Sequence, residues 1–303
     1  MHRKAYVLLL STMLLWAGNA IAGKLAVGHV SPMLLTAARW GLTLLVLLAI
    51  GRRHIAADWQ TLRARMGYLL VMGAAGFAVF SVAMYCALLY TSATNVSIEQ
   101  GGMPLFVFAA SLVMFGDRAT PAQVAGFLLS FAGVMVTATH GEVEQPADLD
   151  VNLGDALMLL AIVTYGVYTA ALRLKPSVHW MTLMTGLCLG AFLGSLPFAA
   201  AEAAFGATIA PDLRGWAIIA YVVVFPSLVA QSFYIRAVEL IGANRAGLFI
   251  NFLPLWGALL AVTILGEAFH VYHAVALALI LGGIWLAEHS GRKMPPPPSE
   301  SLG

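Results

Sequence analysis

The sequence predicts an all-α polytopic membrane protein, with ten transmembrane helices arranged as two inverted five-helix repeats. Composition gives the first observation: hydrophobic residues fill 61% of the 303 positions and charged residues only 10%, against about 25% charge in a soluble domain. The second is ten apolar stretches, each near the roughly 20 residues that a bilayer core demands of a helix. The third is an internal echo. Leu153 to His289 repeats Ala5 to Thr139, with Met103-Pro104-Leu105 and Leu253-Pro254-Leu255 standing 150 positions apart. At that same offset Gly116-Asp117 matches Gly266-Glu267, Leu129 matches Leu279 and Gly133 matches Gly283. Five spans are an odd number of crossings, so the second copy must enter upside down. Inverted halves around a midplane site are the plan of a secondary transporter.

The spans are expected near 5–24, 32–50, 67–90, 94–115, 121–139, 153–173, 179–201, 215–239, 243–265 and 270–288. Residues 1–139 form the first repeat, 140–152 a periplasmic linker and 153–290 the second repeat. The longest connections are 51–66, 140–152 and 202–214. Helix 1 has a rival reading: His2-Arg3-Lys4, an apolar run and Ala20-Ile21-Ala22 resemble a cleavable signal peptide. The repeat argues for its retention, because Trp16-Ala17-Gly18-Asn19 pairs with Tyr165-Gly166-Val167-Tyr168 and Lys24 with Arg173, both at an offset of 149. Helix 2 carries Arg39 within its apolar run. Helices 3 and 8 place Phe77, Ser81, Met84 and Leu88 opposite Ser227, Gln231, Tyr234 and Val238. Helices 4 and 9 are centred on Pro104 and Pro254, whose missing amide frees a backbone carbonyl. Helix 5 opens at Thr120-Pro121 and is spaced by glycine. Helix 6 begins near Asp155, which, like Asp117, reads as a cap. Helix 7 carries Cys188, and helix 10 starts at His270-Val271-Tyr272-His273. After Gly291, Arg292-Lys293 and four prolines form a tail expected to be disordered and cytoplasmic.

Basic residues set the expected orientation. Of 16 Lys and Arg, all but Lys24, Arg214 and the intramembrane Arg39 lie on the side of the N-terminus, which places both termini in the cytoplasm. The opposite face carries Glu142, Glu144, Asp148 and Asp150 in one loop. Cys86 and Cys188 lie in apolar segments and read as buried thiols, not a disulfide. Tyr6, Tyr68, Tyr90, Trp180, Trp216 and Trp285 read as interfacial anchors. Neither a phosphate-binding glycine loop nor a nucleophile elbow nor paired catalytic carboxylates are present in the sequence, which excludes ATP-driven transport within this chain and argues against an enzyme.

Several of these features together resemble the drug/metabolite transporter superfamily, EamA type. They are the paired five-helix units, each with a proline in its fourth helix; the Gly116-Asp117 and Gly266-Glu267 pairs; Thr120-Pro121 with Gln123, Gly126 and Gly133; and Trp16-Ala17-Gly18-Asn19 with Arg39-Trp40. The resemblance covers nearly the whole chain, and its nearest branch is similar to the YddG-type exporters of aromatic amino acids. It implies efflux of bulky amino acids across a bacterial inner membrane. The second copy lacks the Thr-Pro-x-Gln start of helix 5, so the halves need not contribute equally to a site.

Intramembrane polar groups are costly and face cavities. Arg39 and Glu99 lie at matching depth, roughly 8–10 Å inside their helices at 1.5 Å per residue. They read either as a carboxylate-binding arginine with an ammonium- or proton-binding acid, or as a structural ion pair that locks two helices. Trp16, Asn19, Tyr85, Glu99, Met103, Tyr165, Tyr168, Gln231 and Tyr234 are the expected substrate-binding residues, since aromatic faces and thioethers suit a bulky, polarizable guest. Arg39, Pro104, Asn251 and Pro254 are the expected gate or structural residues. Glu267, His270 and His273 read as a solvated helix start and not a metal site. The expected partners are a small amino-acid-like substrate, the lipid bilayer and protons, with no cofactor, no metal, no nucleic acid and a monomeric state. The competing readings are multidrug efflux of lipophilic cations, for which Glu99 is the strong candidate acid, and a membrane-embedded receptor or enzyme.

Overall fold

The computed structural model describes residues 2–116, 120–141, 152–241, 246 and 248–291. Among them every regular element is helical. Eight helices are long and apolar enough to cross a membrane: α1 Arg3–Ala26, α2 Pro32–Ala57, α3 Met66–Tyr90, α4 Ala93–Phe115, α5 Pro121–Ala138, α6 Leu153–Leu174, α7 Trp180–Ala204 and α8 Leu213–Val238. Two shorter apolar helices follow, α9 Phe249–Leu265 and α10 Val271–Ala287. Where the residues are described, the expected boundaries hold to a few residues with one clear departure; the expected start of the ninth span at 243 lies outside the described residues. α2 runs on to Ala57, and a short helix, Trp59–Ala64, fills much of the expected 51–66 loop. Asp117, Arg118, the acidic loop residues Glu142, Glu144, Asp148 and Asp150, Arg245 and the tail from Arg292 lie outside the described residues.

The matched third helices of the two copies are wound alike. α3 contains a π-helical stretch at Ala74–Val79 and α8 one at Val223–Val229, the same place at the repeat offset. The matched fourth helices are both interrupted. α4 breaks into Ala93–Gln100 and Met103–Phe115 around Gly101-Gly102, and α9 starts with a 3₁₀ stretch, Leu248–Phe252, before Leu253–Leu260. Each proline therefore sits in the first turn of a new helix, where its missing amide costs nothing.

Matched helices also pack on each other, and they run antiparallel. In α5 and α10, a Cβ added to Gly133 would meet the Ala276 carbonyl at 2.8 Å, Ser130 Oγ donates to the Ile280 carbonyl at 3.1 Å, and Gly126 backs onto Gly283. In α2 and α7, Gly41 faces Phe192 and Gly51 faces Met181. In α4 and α9, Gly101 faces Pro254 and Ser97 faces Gly257. Numbers rise along one helix as they fall along the other in all three pairs, the arrangement that an inverted second copy demands. Glycine permits each approach by bringing backbones together.

The ends of α2 and α7 are tied reciprocally. Asp58, just past α2, accepts from His179 N at 2.9 Å and Thr182 Oγ1 at 2.8 Å at the start of α7. Glu202, near the end of α7, accepts from Ser31 Oγ, Met33 N and Leu34 N at the start of α2. Each carboxylate occupies the unpaired amides and the positive end of the dipole of the other helix.

Candidate functional site

A cavity of about 330 Å³ opens between α1, α2, α3, α4, α6, α7, α8 and α9. Its wall is aromatic: Trp16, Trp40, Phe77, Phe80, Tyr165, Tyr168 and Tyr234 all line it. These rings are built onto each other. Trp40 stacks on Phe77 at 4.6 Å and 12°, Tyr165 meets Phe80 at 5.0 Å and Tyr168 at 5.4 Å, and Trp16 meets Tyr234 at 5.4 Å. Two indoles are oriented by hydrogen bonds. Trp40 Nε1 donates to Ser81 Oγ at 3.2 Å. Trp16 Nε1 donates to the Pro226 carbonyl at 3.1 Å, inside the π-helical stretch of α8, so the local widening that frees this carbonyl also orients the ring.

Arg39 closes the deep end. It is 7% exposed and its guanidinium carbon lies 4.5 Å over the Trp40 ring. Its Nε donates to Ser227 Oγ at 2.9 Å, and its Nη1 donates to Asn19 Oδ1 at 3.1 Å and Tyr85 OH at 2.9 Å. Every one of these partners is neutral. Among the described residues no carboxylate comes within ion-pair distance of Arg39, so Arg39 and Glu99 are not paired in this structure. Gln100, Gln231 and Thr169 add polar groups, and Met103, Met184, Leu172, Ile250, Leu253 and Pro226 complete the lining.

Of the expected substrate-binding residues, Trp16, Asn19, Met103, Tyr165, Tyr168, Gln231 and Tyr234 border this cavity. Two do not. Tyr85 is buried behind it, its hydroxyl donating to Asn19 Oδ1 at 3.0 Å and receiving Arg39. Glu99 points away from it, fully buried on another face of α4, because a helical neighbour of the lining residue Gln100 is turned about 100° from it. Of the expected gate or structural residues, Arg39 lines the cavity itself. Pro104 borders a separate groove of about 250 Å³ between α4, α5 and α10. Pro254 is buried against Gly101, and Asn251 is in the 3₁₀ stretch of α9, outside the lining. Trp40 and Phe80 were not singled out as site residues. The signal for Trp40 was its place beside Arg39, where an aromatic face can cover a guanidinium.

Two expectations about the polar ends are corrected. Asp155 is no cap: Asn152 caps α6 by accepting from Gly154 N, and Asp155 is turned inward and buried. Glu267 and His273 are not a solvated helix start. Glu267 accepts from Ala93 N, Thr94 N and Thr94 Oγ1 and so caps α4, while His273 is 1% exposed with Nε2 at 2.9 Å from Asn95 Oδ1. Only His270 of the three is exposed.

Comparison with known proteins adds the family. The EamA-like transporter family matches the chain twice, over residues 3–139 and 152–288. The chain is 26% identical to the uncharacterized transporter YetK of Bacillus subtilis, over 93% of this chain and 86% of that protein. It is 27% identical to an uncharacterized transporter of Archaeoglobus fulgidus, over 94% and 98%. It is 23% identical to the uncharacterized inner membrane transporter YicL of Salmonella typhimurium, over 96% and 97%. A solved crystal structure shares the fold, with a TM-score of 0.64 at 24% identity over 97% of this chain and 99% of the other.

Proposed function

The chain belongs to the EamA-like transporter family, and on that footing we propose that it is an alternating-access secondary transporter exporting small amphiphilic metabolites, above all aromatic and other large neutral amino acids. One observation carries this reading: a cavity walled by seven aromatic rings holds a single charged side chain, Arg39, whose protein partners are all neutral. Its volume of about 330 Å³ falls at the low end of the roughly 300–1,000 Å³ of small-ligand sites. The rings supply stacking for an aromatic side chain, and the guanidinium supplies a charge-assisted partner for a carboxylate. The ammonium group of an amino acid would meet the oxygens of Asn19, Gln100 or Gln231 and the ring faces. Lipophilic cations fit less well, since Glu99, the acid they would need, lies outside the lining.

The same reading places ten spans in a bacterial inner membrane, with α9 and α10 crossing beside the eight longer helices, both termini cytoplasmic, and a monomer as the working unit. The basic asymmetry supports the orientation. The antiparallel pairing of matched helices supports two inverted repeats, 1–139 and 153–290, joined at 140–152. The cavity residues Leu172, Met184 and Gln231 sit toward the helix ends on the N-terminal side, so the cavity would face the cytoplasm.

Counterflow of labelled phenylalanine in proteoliposomes tests the reading, with two competitors that split the zwitterion. Phenylpropionate, which keeps the ring and carboxylate, should compete, and phenethylamine, which keeps the ring and amine, should compete weakly. Strong competition by the amine and none by the acid would replace this reading with cation efflux.

A further inference from the structure

A second set of buried polar groups occupies the end of the bundle remote from the N-terminus, apart from the aromatic cavity. Asp155, in the first turn of α6, is fully buried. Its Oδ1 accepts from Thr91 Oγ1 at 2.6 Å; its Oδ2 accepts no hydrogen bond and lies 3.7 Å from His140 Nε2. Asn95, in the first turn of α4, bridges outward, with Nδ2 at 3.1 Å from His140 Nε2 and at 3.2 Å from Thr91 Oγ1. Glu99 stands one helical turn further in on the same face. It is 0% exposed, and neither carboxyl oxygen has a hydrogen-bond partner. Asp155 Oδ1 lies 3.5 Å from Nδ2 of Asn95, the residue one turn before Glu99. A buried carboxylate without a donor or counter-charge is strongly disfavoured, so this pair calls for a ligand that satisfies acid oxygens.

The groups facing the pair limit what that ligand is. From α1 comes Lys24, its Nζ held by the Leu88 and Thr91 carbonyls at 2.8 and 2.7 Å. Just past the end of α3 comes Thr91, whose hydroxyl donates to Asp155 Oδ1. The corner before α10 brings Glu267, already occupied in capping α4. From α10 come Tyr272 and His273. His273 Nδ1 accepts from His270 N at 2.9 Å, so its Nε2 must donate to Asn95 Oδ1. His140 differs, since its side chain is 39% exposed and touches both solvent and the buried acid. No three metal-ligating side chains converge among the described residues.

We propose that Glu99 and Asp155 form a proton-binding pair, filled from the remote face through His140, whose occupancy determines whether that end of the transporter is shut. The proposal rests on the transport reading above and names its coupling ion. Each transfer, from water to His140, to Asp155 and then, since no hydrogen bond joins the two acids, through water to Glu99, forms one bond to hydrogen and breaks one. With protons aboard, the remote end packs as seen. Their loss leaves two anions sharing a buried place with few donors, which favours separation of α4 from α6. The first part of α4 is a short separate helix, Ala93–Gln100, ending at Gly101-Gly102. Glu99 faces the proton site from it, and its neighbour Gln100 faces the cavity. Proton and cargo thus bias one rigid piece from two sides, which is what coupling between distinct sites requires.

The test has two arms on the full chain in lipid. In pH-difference infrared spectra, the wild type should show a carboxylic-acid carbonyl band that titrates, and Glu99→Gln should lose it, with Asp155→Asn altering it. A wild type without such a band, or a band unchanged in Glu99→Gln, overturns the proposal. This arm uses no substrate, so it stands even if phenylalanine proves to be the wrong cargo. In proteoliposomes, a pH difference should drive phenylalanine accumulation by the wild type. Glu99→Gln, a mimic of the protonated acid, should hold the remote end shut and lose that accumulation, while the purified variant still binds phenylalanine in the aromatic cavity, which shows that it is folded. Accumulation that survives in Glu99→Gln, or that follows a sodium gradient with no pH difference, overturns the proposal.

Discussion

Replacing Arg39 by Gln tests the cavity at its one charge. The guanidinium makes three hydrogen bonds to protein, to Ser227, Asn19 and Tyr85. Its removal strands few groups, because Asn19 Oδ1 keeps the Tyr85 hydroxyl at 3.0 Å and Ser227 Oγ keeps the Val222 carbonyl at 2.7 Å. Folding should therefore suffer little, and the loss should fall on the ligand. A hydrogen bond to a charged group contributes about 1.5–3 kcal/mol, and about 1.4 kcal/mol is tenfold in affinity. Arg39→Gln should thus weaken phenylalanine binding roughly 10- to 150-fold. Calorimetric titration of the purified protein reads this directly. Phenethylamine, which has no carboxylate to lose, is the internal control and should bind the variant no worse than the wild type. Equal weakening for both ligands, or a collapse of the melting temperature, would show that Arg39 acts through the fold and not through cargo.

Two further expectations concern the scaffold. Gly133→Ala puts a Cβ 2.8 Å from the Ala276 carbonyl, while Gly282→Ala meets nothing nearer than Leu129 Cδ2 at 3.7 Å. The first should cost about 1–3 kcal/mol of overpacking and the second almost nothing, as a pair of thermal melts would show; similar melts would refute the close α5–α10 seam. The Asp58 carboxyl is held below the ordinary carboxylate range by the Thr182 hydroxyl, then by the His179 amide. A depressed acid stabilises above its unfolded value and loses that contribution as pH falls through its folded value. Asp58→Asn should therefore melt lower than the wild type near neutral pH, with the gap closing in acid; a gap independent of pH would refute the capping role.

The sequence made the helices legible because each must supply its own apolar length, and the 150-residue register of Pro104 and Pro254 revealed their pairing. It gave depth along a helix well and direction around it poorly. Arg39 and Glu99 have similar depth, yet one faces the cavity and the other a separate acid pair, since about 100° of rotation separates Glu99 from Gln100. Loop polarity misled for a related reason. Glu267 and His273 look solvated when read beside their chain neighbours, but the start of α10 is covered by α4, which lies about 175 residues away. Trp40 is legible beside Arg39, but a ring inside an apolar helix carries no mark that Phe77 is the ring it stacks on.

The crossed carboxylates of α2 and α7 impose an order on synthesis. Helix α2 enters the bilayer with its first amides open, and the acid that closes them, Glu202, is 171 residues downstream of Ser31. Asp58 likewise waits for the amide of His179, 121 residues later. Neither half of the polypeptide supplies the partners for the ends of its own second helix, so until the seventh span is delivered the open amides of α2 and the Asp58 carboxylate are left to water. Cutting the chain between the repeats would leave two fragments, each missing the stopper that the other carries.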